Sequence, residues 1–144
     1  MKYENEVIIA QPKDKVVALI QDPDQMKNWQ PTLEGYEHLS GEPGEPGAKM
    51  KLIYGKGGNA REMVETIIST NWPDSLVTTY ETKGVFNRME SYFEVVDETR
   101  TRYRTVSEFR FSGFMKLIGL FFKGAFPKET QKTLEAFKEL AEKS

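Results

Sequence analysis

A chain of 144 residues, 38% apolar and 29% charged, has the size and balance of one soluble domain with one core. Twenty basic against 22 acidic side chains leave a net charge of −2, which excludes a generally basic nucleic-acid binder. With no cysteine, disulfides, thiolate metal sites and cysteine nucleophiles are excluded, and the single His38 argues against a histidine-built metal site.

The chain starts on Met1-Lys2-Tyr3-Glu4-Asn5-Glu6, polar and acidic where a signal peptide needs an apolar stretch. No apolar run approaches the roughly 20 residues of a membrane span. The expected location is therefore cytoplasmic. Tyr3 to Ile9 alternates, with Tyr3, Val7 and Ile9 on one side, and reads as a strand. Pro12 suits a first helical position, and Val16, Leu19 and Ile20 recur at helical spacing behind it. Asp22-Pro23 ends that helix and opens a second short one, on which Met26 and Trp29 share a face.

From Leu33 the pattern changes to strands and turns. The stretch Gly41 to Gly47 is a loop of turn formers. Met50, Leu52 and Tyr54 alternate with lysines, and Gly55-Lys56-Gly57-Gly58-Asn59 turns the chain. Residues 60–72 form a long strand with two open phases. Either Met63, Glu65 and Ile67 face inward, or Val64, Thr66 and Ile68 do, and a bulge can switch the phase midway. Strands over Leu76–Lys83, Phe86–Val96 and Thr101–Phe111 follow. The last alternates cleanly, with Tyr103, Thr105, Ser107, Phe109 and Phe111 on one face and mainly charged residues on the other. Its neighbour sends Met89, Ser91, Phe93 and Val95 inward. Glutamates on one strand and arginines on the next predict cross-strand pairs on the outer face.

Gly113 follows the final strand. Phe114 to Phe126 is strongly apolar, and Pro127 is expected to interrupt or kink the helix. Beyond it, Thr130, Leu134, Phe137 and Ala141 form the apolar stripe of an amphipathic helix. The order is strand, two short helices, six strands, one long helix. A meander this long must curl, and only the last helix is long enough to fill the concave face. The expectation is an α+β architecture over residues 1–144, one domain. About seven antiparallel strands wrap the C-terminal helix, with two short helices after the first strand.

At this point the sequence resembles the START-related, Bet v 1-like (SRPBCC) superfamily, and within it the polyketide cyclase/dehydrase type. The residues that carry the resemblance are Ala10-Gln11-Pro12 with Val16-Val17-Ala18-Leu19, Asp22-Pro23, Trp29-Gln30-Pro31, Pro73, and Gly113-Phe114-Met115-Lys116-Leu117. Val17 departs from the aromatic residue often found there. The resemblance implies a helix-grip fold, with a cavity between sheet and long helix that takes a hydrophobic or amphipathic small molecule. It does not imply catalysis.

The inward faces support a cavity on their own terms. Ser91, Thr105 and Ser107, with Thr78 beside Tyr80, place small hydroxyl residues where a solid core would use large apolar ones. The expected ligand-binding set is Trp29, Tyr54, Tyr80, Met89, Ser91, Phe93, Tyr103, Thr105, Ser107, Phe109, Ile118 and Phe122. Trp29 serves equally as cavity wall or core. Tyr54, Tyr80 and Tyr103 can donate to a ligand carbonyl, or simply be satisfied inside the core. If Glu65 faces inward it is a candidate general base with a raised pKa. Tyr103, Tyr80 and Glu65 are thus the acid–base candidates for a cyclase, dehydratase or isomerase. His38 lacks a partner carboxylate, and the glycine run at 55–58 joins two strands rather than opening a helix as a phosphate loop must. No metal or cofactor is expected. The predicted partner is a hydrophobic small molecule, with no nucleic acid. The apolar segment Phe114–Phe126 is a further candidate, for peripheral membrane contact or a homodimer, with Lys116 and Lys123 flanking it.

Overall fold

The alternation read over Thr101–Phe111 becomes the central ladder of the molecule. In the computed structural model, which describes residues 1–144, strand β7 (Arg100–Phe111) pairs antiparallel with β6 (Val85–Asp97) on one side and β1 (Lys2–Ile9) on the other. The remaining strands are β2 (Leu33–Ser40), β3 (Lys49–Tyr54), β4 (Arg61–Asn71) and β5 (Ser75–Thr82). Together they form one seven-stranded antiparallel sheet in the order β1-β7-β6-β5-β4-β3-β2. The first two strands of the chain therefore lie on opposite edges. Their connection has to cross the sheet, and α1 (Lys13–Ile20), a 3-10 turn (Pro23–Gln25) and α2 (Met26–Trp29) make the crossing.

The hydrophobic reading of α1 and α2 holds. Val16 and Val17 are buried, as are Met26 and Trp29. Asp22 caps the 3-10 turn by accepting from the Asp24 N–H, and Pro23 stands just inside, where a missing N–H costs nothing. The two open phases of strand β4 are both used. Glu65 and Ile67 turn inward, the register slips between Ile67 and Ser69, and the exposed Ile68 takes up the extra residue. After the bulge Thr70 pairs with Leu76, so the even-numbered residues face in.

The C-terminal segment differs from one kinked helix. It is two helices, α3 (Met115–Phe121) and α4 (Ala125–Lys143), broken over Phe122–Gly124. Pro127 does not make the break. It stands in the first turn of α4, where backbone N–H groups have no helical acceptor and proline is tolerated. The chain breaks upstream instead, at Lys123-Gly124.

Helix α4 is tied along β1. The Tyr3 hydroxyl and Thr130 Oγ1 lie 2.8 Å apart, Asn5 Nδ2 donates to Pro127 O and Gln131 Oε1, and Lys138 Nζ donates to Ile8 O at 2.8 Å. Further along, the Ala10 N–H reaches Glu142 Oε2 at 2.7 Å. Leu134, Phe137 and Ala141 form its buried stripe. The ring of Phe137 stands edge-on to Trp29 and to Tyr103, both with centroids 5.3 Å away, and Tyr103 stacks on Phe93. A fully buried side chain of this size contributes about 1.5–3 kcal/mol. On the outer face Arg104 reaches Glu94 on β6 and Glu4 on β1, and Arg102 reaches Glu6. These exposed pairs are worth roughly 0–1 kcal/mol each. No helix is long and apolar enough to cross a membrane.

Candidate functional site

The helix is bound along one edge of a curled sheet, so the space between them closes toward β1 and opens toward the middle strands. A cavity of about 480 Å³ lies in that wedge. Its wall takes Met50 and Tyr54 from β3, Glu65 and Ile67 from β4, Leu76, Thr78 and Tyr80 from β5, and Met89 and Ser91 from β6. Tyr103 of β7, then Ile20, Met26 and Trp29 of the crossing, then Thr130, Thr133 and Leu134 of α4 complete the main surface. Both tryptophans of the chain, Trp29 and Trp72, line it. At buried Thr78 and Ser91 the small side chains leave room that a leucine or phenylalanine would fill.

Several of the polar groups, Glu65, Tyr80, Tyr54 and Thr78, are neighbours in one corner. Glu65 is the cross-strand partner of Met50 on β3 and of Tyr80 on β5, so all three side chains share the concave face. Tyr80 accepts from Thr78 Oγ1 at 3.3 Å, and the Tyr54 hydroxyl donates to Gln30 Oε1 at 2.7 Å. Burial pushes the Glu65 carboxyl above the usual carboxylate range, and the neighbouring Tyr80 hydroxyl offsets this only in part. Burial likewise pushes the Tyr80 and Tyr54 phenols up, and the charge of Glu65 adds to it. Tyr103 is raised by burial to about 12, with the Ser91 hydroxyl pulling the other way. At neutral pH these phenols are proton donors, and Glu65 is the one carboxyl among them.

Of the residues singled out in the sequence, Trp29, Tyr54, Tyr80, Met89, Ser91, Tyr103 and Glu65 come together on this wall. The others do not. Phe93 lies behind Tyr103 in the closed core, 1% exposed. Thr105 and Ser107 are fully buried on the strip of β7 beside Asn5 and Tyr3, where α4 lies close on the sheet. There the small residues admit a helix and not a ligand. Phe109 belongs to a second aromatic cluster with Tyr3, Phe111 and Phe126. Ile118 and Phe122 lie in and just after α3, off the wall. His38 is exposed on the edge strand β2, and the glycine run links β3 to β4.

Residues outside the expected ligand-binding set that also line the cavity include Gln30, Ile67, Leu76, Trp72, Thr130 and Thr133. Thr130 and Thr133 carried a usable signal, since they flank Leu134 on the inward side of α4. No group of three or more His, Cys, Asp or Glu is placed to hold a metal ion.

A profile of the family described as polyketide cyclase / dehydrase and lipid transport matches residues 1–142. No curated protein sequence matches this chain. Among solved structures, the Zhui aromatase/cyclase from Streptomyces sp. R1128 superposes with a TM-score of 0.80 at 17% identity, over 99% of this chain and 93% of that one. Ara h 8.0201 gives 0.77 at 14% identity, over 100% and 99%. Truncated norcoclaurine synthase from Thalictrum flavum gives 0.74 at 12% identity, over 97% and 92%. At these identities the likeness is one of fold, and it is the Bet v 1-like helix-grip fold.

Proposed function

The chain belongs to the polyketide cyclase / dehydrase and lipid transport family, and from that premise we propose that it binds or carries an amphipathic small molecule in the cavity between sheet and α4. The observation that carries this reading is the wall itself. It is more apolar and aromatic than polar, it carries a group of neighbouring polar side chains in Glu65, Tyr80, Tyr54 and Thr78, and its volume of about 480 Å³ suits a small-molecule ligand. The apolar body of the ligand lies against Met50, Ile67, Leu76 and Met89, and a polar end meets the corner. An environment-sensitive apolar dye tests it. Wild type binds and brightens the dye, whereas Thr133→Trp, which sends an indole into the cavity from a half-exposed helix position, loses binding while its circular dichroism is kept. Equal dye binding in a folded Thr133→Trp overturns the reading.

A catalytic version uses the same corner. Glu65, with its raised pKa, serves as base or acid, and Tyr80 or Tyr103 donates a hydrogen bond to a carbonyl oxygen. In that case Glu65→Gln lowers turnover by roughly 10²–10⁴-fold.

The segment around α3 supports a second role, docking on an anionic membrane surface. Phe114, Leu117, Leu120, Phe121 and Phe122 are all at least half exposed. From Phe109 to Lys128 the chain carries Arg110, Lys116, Lys123 and Lys128 and no acidic residue, although acidic side chains outnumber basic ones overall. An apolar face with basic flanks matches an anionic bilayer in both its properties.

A further inference from the structure

We infer that the cavity selects amphiphiles that carry a protonated amine, with the ammonium held against Glu65 and the apolar body against the aliphatic and tryptophan-lined wall. This rests on the cavity being a ligand site, and it names the ligand's chemical class.

The composition of the wall carries the inference. The chain has 20 lysines and arginines and one histidine, yet none of them lines the cavity. Two carboxylates do, Glu65 on β4 and Glu45 in the loop before β3. Glu65 points inward, fixed by its pairing with Tyr80 and Met50, and its polar neighbours are hydroxyl groups. A carboxylate among hydroxyls has donors but no counter-charge, so the charge it carries when ionised is uncompensated within the protein. A ligand cation supplies what the wall lacks. Near Glu65 stand the rings of Tyr54 and Tyr80, whose π faces also attract a cation.

Other ligand classes fit less well for the same reason. An anionic amphiphile brings a second negative charge beside Glu65 with no arginine or lysine to receive it. A neutral alcohol is accommodated, but only with Glu65 kept protonated. The amine alone gains from ionisation of Glu65.

The test compares decylamine, decan-1-ol and decanoate at neutral pH, which share a chain and differ in head charge. Binding is read from Trp29 and Trp72, the two tryptophans of the chain. Decylamine is expected to bind about tenfold more tightly than decan-1-ol, with decanoate weakest. In Glu65→Gln the amine loses its advantage, and the amine and alcohol affinities converge. Equal amine and alcohol affinities in wild type, tightest binding of decanoate, or an amine preference that survives in Glu65→Gln each overturn the inference while leaving the ligand site intact. Failure of all three compounds to bind wild type overturns the ligand site itself, and the inference with it.

Discussion

Glu65 and Tyr80 stand opposite one another on β4 and β5 and turn the same way, into the cavity. The pairing fixes a carboxyl on the inward face of the sheet, among apolar and hydroxylated side chains, and this has a consequence for stability. The folded state raises the pKa of Glu65 above its ordinary 4.5, chiefly by burial. Folded protein then holds a proton that unfolded protein has released, so stability falls as pH rises from about 4.5 through the folded pKa, and levels off above it. Glu65→Gln removes that slope. Chemical denaturation at a series of pH values should find the two proteins equal near pH 4 and the variant more stable at pH 7. The difference between them isolates Glu65 from Glu90, Asp97 and Glu142, whose lowered pKa values act in the opposite direction. A wild type at least as stable as the variant at pH 7 contradicts the burial argument.

The hydroxyls of Thr105 and Ser107 are buried without a hydrogen-bond partner. Thr105 is fully buried where α4 lies on the sheet. Valine has nearly the same shape and no group left to satisfy. Removing an unpaired buried hydroxyl recovers a desolvation cost of order 1 kcal/mol. Thr105→Val should therefore raise the melting temperature by a few degrees and leave dye binding unchanged, since Thr105 is off the cavity wall. A lower melting temperature places a satisfied hydrogen bond at this site.

The succession of strands along the chain, the two short helices and the amphipathic α4 were legible from period and turn chemistry, because such patterns repeat over many residues; the pairing of β1 with β7 was not. The division of the concave face was not. Ser91 and Ser107 have the same alternation and the same size, yet one lines the cavity and the other lies under α4. What separates them is which edge of the sheet the helix is tied to. That depends on Asn5, Tyr3 and Lys138 contacting residues more than a hundred positions away. The phase of β4 depended on one bulged residue, Ile68, which a run of apolar and polar side chains does not mark.

Gly119 packs directly on Phe111. A Cβ at Gly119 would lie 2.5 Å from the Phe111 ring, closer than atoms can sit. That ring is held by its contacts with Phe109 and Phe126, at centroid distances of 5.8 and 5.4 Å. Alanine would favour the helix by about 1 kcal/mol over glycine, but overpacking costs typically 1–3 kcal/mol. The clash wins, because the ring cannot move without disturbing its neighbours. Gly119→Ala should lower unfolding free energy and loosen α3, seen as faster amide exchange at Ile118–Phe122, with the cavity unaffected. A stabilised variant would show that helix propensity dominates.

The α3 segment presents the largest group of exposed apolar side chains in the molecule, with Phe121 75% and Phe114 74% exposed. Ile118 is half-buried and Gly119 is buried against Phe111, so the helix has an inner face already in use and an outer one without a protein partner. Transfer of each exposed phenylalanine into the interfacial region contributes of order 1.5–3 kcal/mol if burial is complete. Each lysine near an anionic surface adds about 1 kcal/mol. Flotation with vesicles of mixed phosphatidylcholine and phosphatidylserine should carry wild type upward, and pure phosphatidylcholine should carry less. The double change Phe121→Glu with Phe122→Glu should abolish flotation on both. Lys116→Glu with Lys123→Glu should remove only the preference for the anionic vesicles and make binding insensitive to salt. Because neither pair touches the cavity wall, decylamine and dye binding serve as the check on folding. A wild type that stays at the bottom of the gradient, together with a sedimentation mass twice that of the chain, would assign the patch to a homodimer instead.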